Sequence, residues 1–314
     1  MAMGKPFISI CIPAYKRVDY LKRLLLSIRQ QTYSNFEVII TDDSDDESVE
    51  KLIKECNIKQ TVSYCRNSPA LGTPANWNLA LSKAKGEWIK IMHDDDWFSE
   101  NESLEYFAKA ALNHNDRFIF SGYINYYFTE EKKEIISPSY IRLSLIRRDP
   151  YSLLSQNIIG PPSVTLLKND KHFYYDTNIK WLVDIDYYIQ RLKQQKIFYI
   201  KKTLINVGIG DDQVTASCHL NPKIEIPEYL YFLEKTGVQH LKNILVYDTW
   251  WRLLRNFKIN RLEDLEQYDQ SKNTNFVNYI LTDVIMIPKY FIRVGIFSKF
   301  FMLISYLKNR KYIR

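Results

Sequence analysis

Over its first hundred residues the chain alternates short apolar runs with amphipathic ones, and this alternation limits the possible folds more than any other feature. Phe7 to Ile12 reads as a buried strand ending at Pro13. Tyr20 to Ile28 carries Leu21, Leu24, Leu25 and Ile28 at helical spacing. Phe36 to Thr41, Thr61 to Cys65 and Trp88 to Met92 read as further strands. Ser48 to Glu55 and Trp77 to Lys85 read as the helices between them, the second stopped by Gly86. Strands alternating with helices predict an α/β fold with a mostly parallel central sheet flanked by helices. Further on, the pattern predicts a helix at 101–113, a strand at 118–128, an irregular charged stretch at 130–150, a strand at 163–167, a helix at 182–194 and a strand at 197–207. Beyond about residue 222 only helical patterns remain, over 226–245, 247–257 and 276–307. The expected organisation is an α/β domain at 1–222, in halves 1–98 and 99–222, with a C-terminal helical extension at 223–314.

A chain of 314 residues with 46% hydrophobic and 25% charged residues is an ordinary globular protein with room for a full core. Cys11, Cys56, Cys65 and Cys218 are scattered, which suits neither a zinc site nor a disulfide framework and predicts a reducing, cytoplasmic setting. The chain enters its first strand almost at once, so no signal peptide is expected. Charge is uneven: residues 271–314 hold eight Lys/Arg against Asp283 alone, which is the whole +7 excess.

The chemistry gathers where strands end. His93-Asp94-Asp95-Asp96 follows the fourth strand. Adjacent carboxylates repel, and a divalent cation removes that penalty. The alternative is a polar turn built from turn-forming Asp. Pro13-Ala14-Tyr15-Lys16-Arg17 follows the first strand and Asp42-Asp43 the second. In an open parallel sheet all three lie at the ligand edge, where a carboxylate can accept from a base or a ribose; helix capping is the competing use. With no Walker loop or dinucleotide glycine fingerprint, phosphates would be held through a cation.

Ile8-Ser9-Ile10-Cys11-Ile12-Pro13-Ala14-Tyr15, the stretch Ser27 to Glu37, Ile40-Thr41-Asp42-Asp43-Ser44 and Ala84-Lys85-Gly86-Glu87-Trp88-Ile89 together resemble the glycosyltransferase family 2 proteins. The resemblance covers about residues 6–215. It implies a GT-A fold, with a Rossmann-like nucleotide-sugar-binding half joined to an acceptor half, and is similar to bacterial surface-polysaccharide enzymes. By the same resemblance Asp43 holds a uracil flanked by Pro13, Ala14 and Tyr15, Asp95 holds Mn²⁺ or Mg²⁺, and Asp94 lies near the ribose or a metal-bound water. His93 stands where the family usually has its first Asp; it reads either as a ligand or as a packed or solvated residue, the second being expected, and Asp96 has no assigned role. Asp184, within Val183-Asp184-Ile185-Asp186, matches the family's base; the competing reading is a helix N-terminal charge favoured by the macrodipole. The chain departs from the family at Asn76-Trp77-Asn78, where an Arg is usual, and at Gly210, where a His is usual. Asp212 and His219 are candidate replacements for that His, and Asp186 is left without a role. Gly160-Pro161-Pro162-Ser163 reads either as part of an acceptor pocket or as a rigid turn.

The resemblance thus implies an inverting transfer of a sugar from a nucleoside-diphosphate sugar, expected to be a UDP-sugar, to a saccharide hydroxyl. A lipid-linked glycan acceptor would put the protein on the inner face of the cell membrane. Two readings fit the basic, aromatic tail: an anionic membrane surface, or a helix packed on the rest of the chain with a solvated charged face. No nucleic-acid motif is present. Rival functions are a nucleotidyltransferase on a related fold, which would want a glycine-rich loop that Pro13 to Asp19 lacks, and a non-catalytic nucleotide-sugar-binding subunit, against which the presence of Asp94, Asp95 and Asp184 argues.

Overall fold

The apolar runs of the first hundred residues become strands of one sheet, the first two side by side and the fourth on the far side of the first. The computed structural model describes residues 5–210, 218, 220–261, 263–268 and 275–313. It divides into two compact units, Met1–Leu143 with Ile158–Thr177 and Asp186–Gln213, and Ser144–Asn157 with Asn178–Ile185 and Val214–Arg314.

The first unit carries a nine-stranded mixed sheet. Its elements in chain order are β1 (Ile8–Ala14), α1 (Val18–Arg29), β2 (Phe36–Asp42), α2 (Ser48–Cys56), β3 (Val62–Arg66), α3 (Ala75–Lys83), β4 (Trp88–Ile91), β5 (Trp97–Phe98), α4 (Ser103–Asn113), β6 (Arg117–Tyr127), β7 (Lys132–Ile136), α5 (Tyr140–Arg148), β8 (Thr165–Lys168), α6 (Val183–Leu192) and β9 (Lys196–Ile209), with α5 and α6 shared with the second unit. The strand order is β3-β2-β1-β4-β8-β6-β9-β5, with β7 on β6. The pairs β1–β2, β1–β4, β2–β3 and β6–β9 are parallel, while β8, β7 and β5 pair antiparallel. Every residue of β1, β2 and β4 is buried, which is why these strands read as unbroken apolar runs. A polar exception explains itself: the Glu37 carboxylate accepts from Ser9 Oγ at 2.6 Å and from the Lys85 amide at 2.7 Å.

The stretch 130–150 is more ordered than its charge suggests, containing β7 and α5. β7 is an edge strand whose Lys132, Lys133 and Glu134 face water, so charge does not oppose pairing there. In the second unit the helices are α7 (Pro222–Thr236), α8 (Ile244–Asn256), α9 (Glu263–Glu266), α10 (Asn275–Met286), α11 (Lys289–Arg293) and α12 (Gly295–Asn309). The single helix expected over 226–245 is two, because Gly237 at φ +82° ends α7 and Asn243 caps α8, its side chain accepting from the Leu245 amide at 2.9 Å. Likewise 276–307 breaks into α10, α11 and α12 around Pro288 and Val294. The core here is aromatic, with Trp250, Trp251, Tyr247 and Phe232 fully buried. Among the described residues no helix is long and apolar enough to cross a membrane.

Candidate functional site

The parallel register aligns the ends of β1, β2 and β4. Ala14 lies opposite Asp42, Cys11 opposite Ile91, and the Met92 amide donates to the Cys11 carbonyl at 2.9 Å. The three sequence clusters therefore meet at the carboxyl edge of the sheet, the usual ligand edge. Pro13 and Ala14 are buried in the strand, while the Tyr15 ring is 54% exposed beside them.

The two carboxylates at the end of β2 have separate employment. Asp42 is fully buried and structural: it accepts from the Ser44 amide at 2.8 Å and from the Tyr64 hydroxyl at 2.9 Å. Asp43 grips the loop after β3, its Oδ1 accepting from Asn67 Nδ2 at 2.8 Å and the Leu71 amide at 3.0 Å, and its Oδ2 from the Gly72 amide at 2.8 Å. Three donors leave one of the roughly four lone-pair positions of a carboxylate, on Oδ2, open to a ligand N–H. Asn76, in the segment where the family usually has Arg, supports this loop: its Oδ1 accepts from Asn67 at 3.1 Å and its Nδ2 donates to the Thr41 carbonyl.

Asp94, Asp95 and Asp96 form a tight turn, with the Asp96 amide donating to the His93 carbonyl at 3.1 Å, and all three are buried. Arg17 lies across it. Its guanidinium is bidentate on Asp94, through Nη2 and Nε, and donates from Nη1 to Asp95 Oδ2 at 2.9 Å. Burial pushes the Asp94 carboxyl up, and Asp95 adds to that, while Arg17 pulls against it. The Arg17 guanidinium in turn is held above its ordinary value: burial lowers it, and the two carboxylates outweigh burial.

Ligand atoms of His93, Asp95 and Asp96 lie within 4.8 Å of one another. The His93 ring packs beside Trp77 at 4.6 Å between ring centres, and burial lowers its pKa to about 4, so the imidazole is neutral. Its Nε2 is buried with no hydrogen-bond partner among the described residues. Hard carboxylates with one unpaired imidazole nitrogen fit a divalent cation by donor chemistry. The turn at 160–163 underpins the cluster: Ser163 Oγ accepts from the His93 amide at 3.0 Å, and the Ser163 carbonyl accepts from Lys90, a buried lysine 4.5 Å from the centre of the Phe107 ring. Burial drives that lysine well below its ordinary pKa.

β9 closes on the same turn, the Gly208 amide donating to Asp96 Oδ1 at 3.2 Å. A Cβ on Gly208 would lie 2.5 Å from the Asp95 carbonyl oxygen and 2.9 Å from the Phe128 ring. Gly208→Ala should therefore displace the acidic turn, and an ångström-scale misplacement is expected to lower kcat/KM by about a hundredfold while circular dichroism stays that of the folded protein.

Asp184 opens α6 in the second unit. Part of the residue reaches solvent, but its Oδ1 is buried with no hydrogen-bond partner among the described residues, and burial alone raises its pKa to about 7. Asp186 is committed elsewhere, accepting from Gln190 Nε2 at 2.6 Å. A residue that sequence reasoning missed sets up this helix start. The Glu228 carboxylate of α7 accepts from the Lys180, Trp181 and Leu182 amides at 2.8, 2.8 and 2.9 Å. Glu228→Ala strands three donors and should cost about 3 kcal/mol or more, read as a lower denaturant midpoint. Asp212 and His219 lie outside the described residues.

Residues 9–155 match the family model described as glycosyl transferase family 2. An uncharacterized glycosyltransferase of Haemophilus influenzae is 30% identical over 193 residues, 60% of this chain and 62% of its own length, so the match spans under two thirds of that relative. A putative colanic acid biosynthesis glycosyl transferase, WcaA, of Escherichia coli is 27% identical over 74% of this chain and 82% of its own. Among solved structures, S. aureus TarS 1-349 in complex with UDP-GlcNAc superposes with a TM-score of 0.58 at 17% identity, covering 88% of this chain and 90% of that one. Mannosyltransferase PcManGT from Pyrobaculum calidifontis, in complex with GDP-Man and Mn²⁺, gives 0.58 at 12% identity over 98% and 87%. At those identities the likeness speaks to the fold alone, which is GT-A.

Proposed function

Since residues 9–155 match the model of glycosyl transferase family 2, we propose that the chain is an inverting glycosyltransferase, moving a sugar from a nucleoside-diphosphate sugar to a saccharide hydroxyl. The observation that carries this reading is the meeting of Asp43, the Tyr15 loop and the His93–Asp96 turn at one sheet edge. UDP is the proposed carrier, because Asp43 stands where the family resemblance implies a uracil-holding carboxylate. A lipid-linked glycan at the inner face of the cell membrane is the proposed acceptor; the colanic acid biosynthesis named for WcaA supports the polysaccharide part of that reading.

In this reading the free lone pair of Asp43 takes the base N–H and the exposed Tyr15 ring covers the base. Asp95, with Asp96 and His93 Nε2, would hold Mn²⁺ or Mg²⁺, which when bound supplies a Lewis acid for the charge developing on the leaving diphosphate. Arg17 gives up its hold on Asp95 and keeps Asp94 beside the ribose. Asp184 takes the proton of the acceptor hydroxyl as that oxygen bonds to the anomeric carbon and the bond to diphosphate breaks on the opposite face. A single displacement inverts the configuration.

The test is calorimetric binding and product formation with a panel of UDP- and GDP-sugars, with Mn²⁺ and with chelator. Binding of at least one donor, strengthened by Mn²⁺, is expected. No donor binding under any condition overturns the reading.

A further inference from the structure

Helix α12 is turned inside out. Ile296, Phe300, Leu303, Ile304 and Leu307 recur at i, i+4, i+7, i+8 and i+11, which is one helical face. That face is the one in water, with Ile296 76%, Phe300 58% and Leu307 62% exposed. The opposite face is buried and largely polar, with Ser298, Ser305 and Asn309 beside Met302 and Tyr306. Ser298 accepts from Trp251 Nε1 and from Arg255 Nη1, each at 3.0 Å. Ser305 bonds to Tyr247 at 2.6 Å, and Asn309 donates to Asp283 at 2.7 Å. The helix is thus pinned to its unit by hydrogen bonds and presents its apolar side outward. Met286 and Tyr290, just before it, are exposed as well. An exposed apolar helix face of this kind marks an interaction site.

Charge selects the occupant. At 3.6 residues per turn, Lys299 and Lys308 flank opposite sides of the apolar face. Arg293, Arg310 and Lys311 are exposed around it. The one acid of residues 271–314, Asp283, is turned inward, accepting from Ser305 at 2.7 Å and from Asn309, with Lys308 against its other oxygen at 2.6 Å. A second copy meeting this face with its own would set Lys299, Arg293, Arg310 and Lys311 against like charges, and the one acid nearby, Asp283, is already taken up by Lys308 and Asn309. A bilayer with anionic headgroups offers hydrocarbon to the apolar face and phosphates to its basic flanks. We infer that α12 lies in the plane of such a bilayer as the protein's membrane-docking surface. The inference deepens the proposed membrane-side acceptor, and its test uses neither donor nor acceptor, so it fails or stands apart from sugar transfer.

The experiment is co-sedimentation of the full chain with phosphatidylcholine vesicles, with and without phosphatidylglycerol. The wild-type chain should pellet with anionic vesicles about tenfold more strongly than with neutral ones. Phe300→Glu/Ile304→Glu changes two water-facing positions, so the variant should keep its circular dichroism and thermal midpoint but stay in the supernatant. Lys299→Glu should lose the preference for anionic lipid. The inference is overturned if the wild-type chain fails to pellet, or if the double variant pellets like it. It is equally overturned if sedimentation velocity finds a wild-type dimer that the double variant dissolves, which assigns the face to a second copy.

Discussion

Asp184→Asn is expected to lower kcat by about a thousandfold while donor affinity stays within about twofold, since a positioned base contributes roughly 10² to 10⁴. Asparagine keeps the shape of the side chain and removes only its ability to take a proton. The pH dependence follows from burial. With the carboxyl raised to about 7, kcat/KM of the unaltered protein should fall about tenfold per unit as pH drops below that value. Stability moves the other way. A carboxyl with a folded-state pKa above the unfolded 3.8 favours the native state when protonated, so its contribution is full below about pH 4 and lost as pH rises through 7. Asp184→Asn should flatten that slope in denaturant titrations at pH 4, 6 and 8. A variant that turns over normally removes Asp184 as base.

Asp95→Asn should reduce kcat/KM by about a thousandfold and abolish the response to Mn²⁺, as removal of one group that stabilises developing charge commonly costs that much. The change leaves Arg17 bidentate on Asp94, so the turn itself should persist and thermal melting should change little. Initial rates across a Mn²⁺ titration, with chelator at one end, decide the matter. A variant whose rate still rises with Mn²⁺ as that of the unaltered protein does would dismiss a metal at Asp95.

The first half of the sheet was legible because β1, β2 and β4 are buried on both faces and so read as unbroken apolar runs. Asp43 and the acidic turn were found as strand-end carboxylates, but telling Asp43 from Asp42 took the family resemblance, since both are buried acids one residue apart. Arg17 stayed hidden because a basic residue after a strand looks like any solvated one; its partners lie 77 and 78 residues on. Glu228 stayed hidden because its three partners are backbone amides, which carry no side-chain signature. The orientation of α12 was not legible either. Its periodicity was plain, but the apolar side of a helix is normally assumed to face inward, and here Ser298, Ser305 and Asn309 share the inward side with Met302 and Tyr306.

Arg17 has a thermodynamic consequence for whatever cation uses the acidic turn. The turn already holds a positive charge, supplied by the chain itself, so an incoming ion enters by exchange rather than into empty carboxylates. Its apparent affinity is the intrinsic one multiplied by the fraction of molecules in which the guanidinium has swung away. A diphosphate offers that guanidinium another anion to pair with. The protein alone would then hold free metal weakly, and donor and ion would load together.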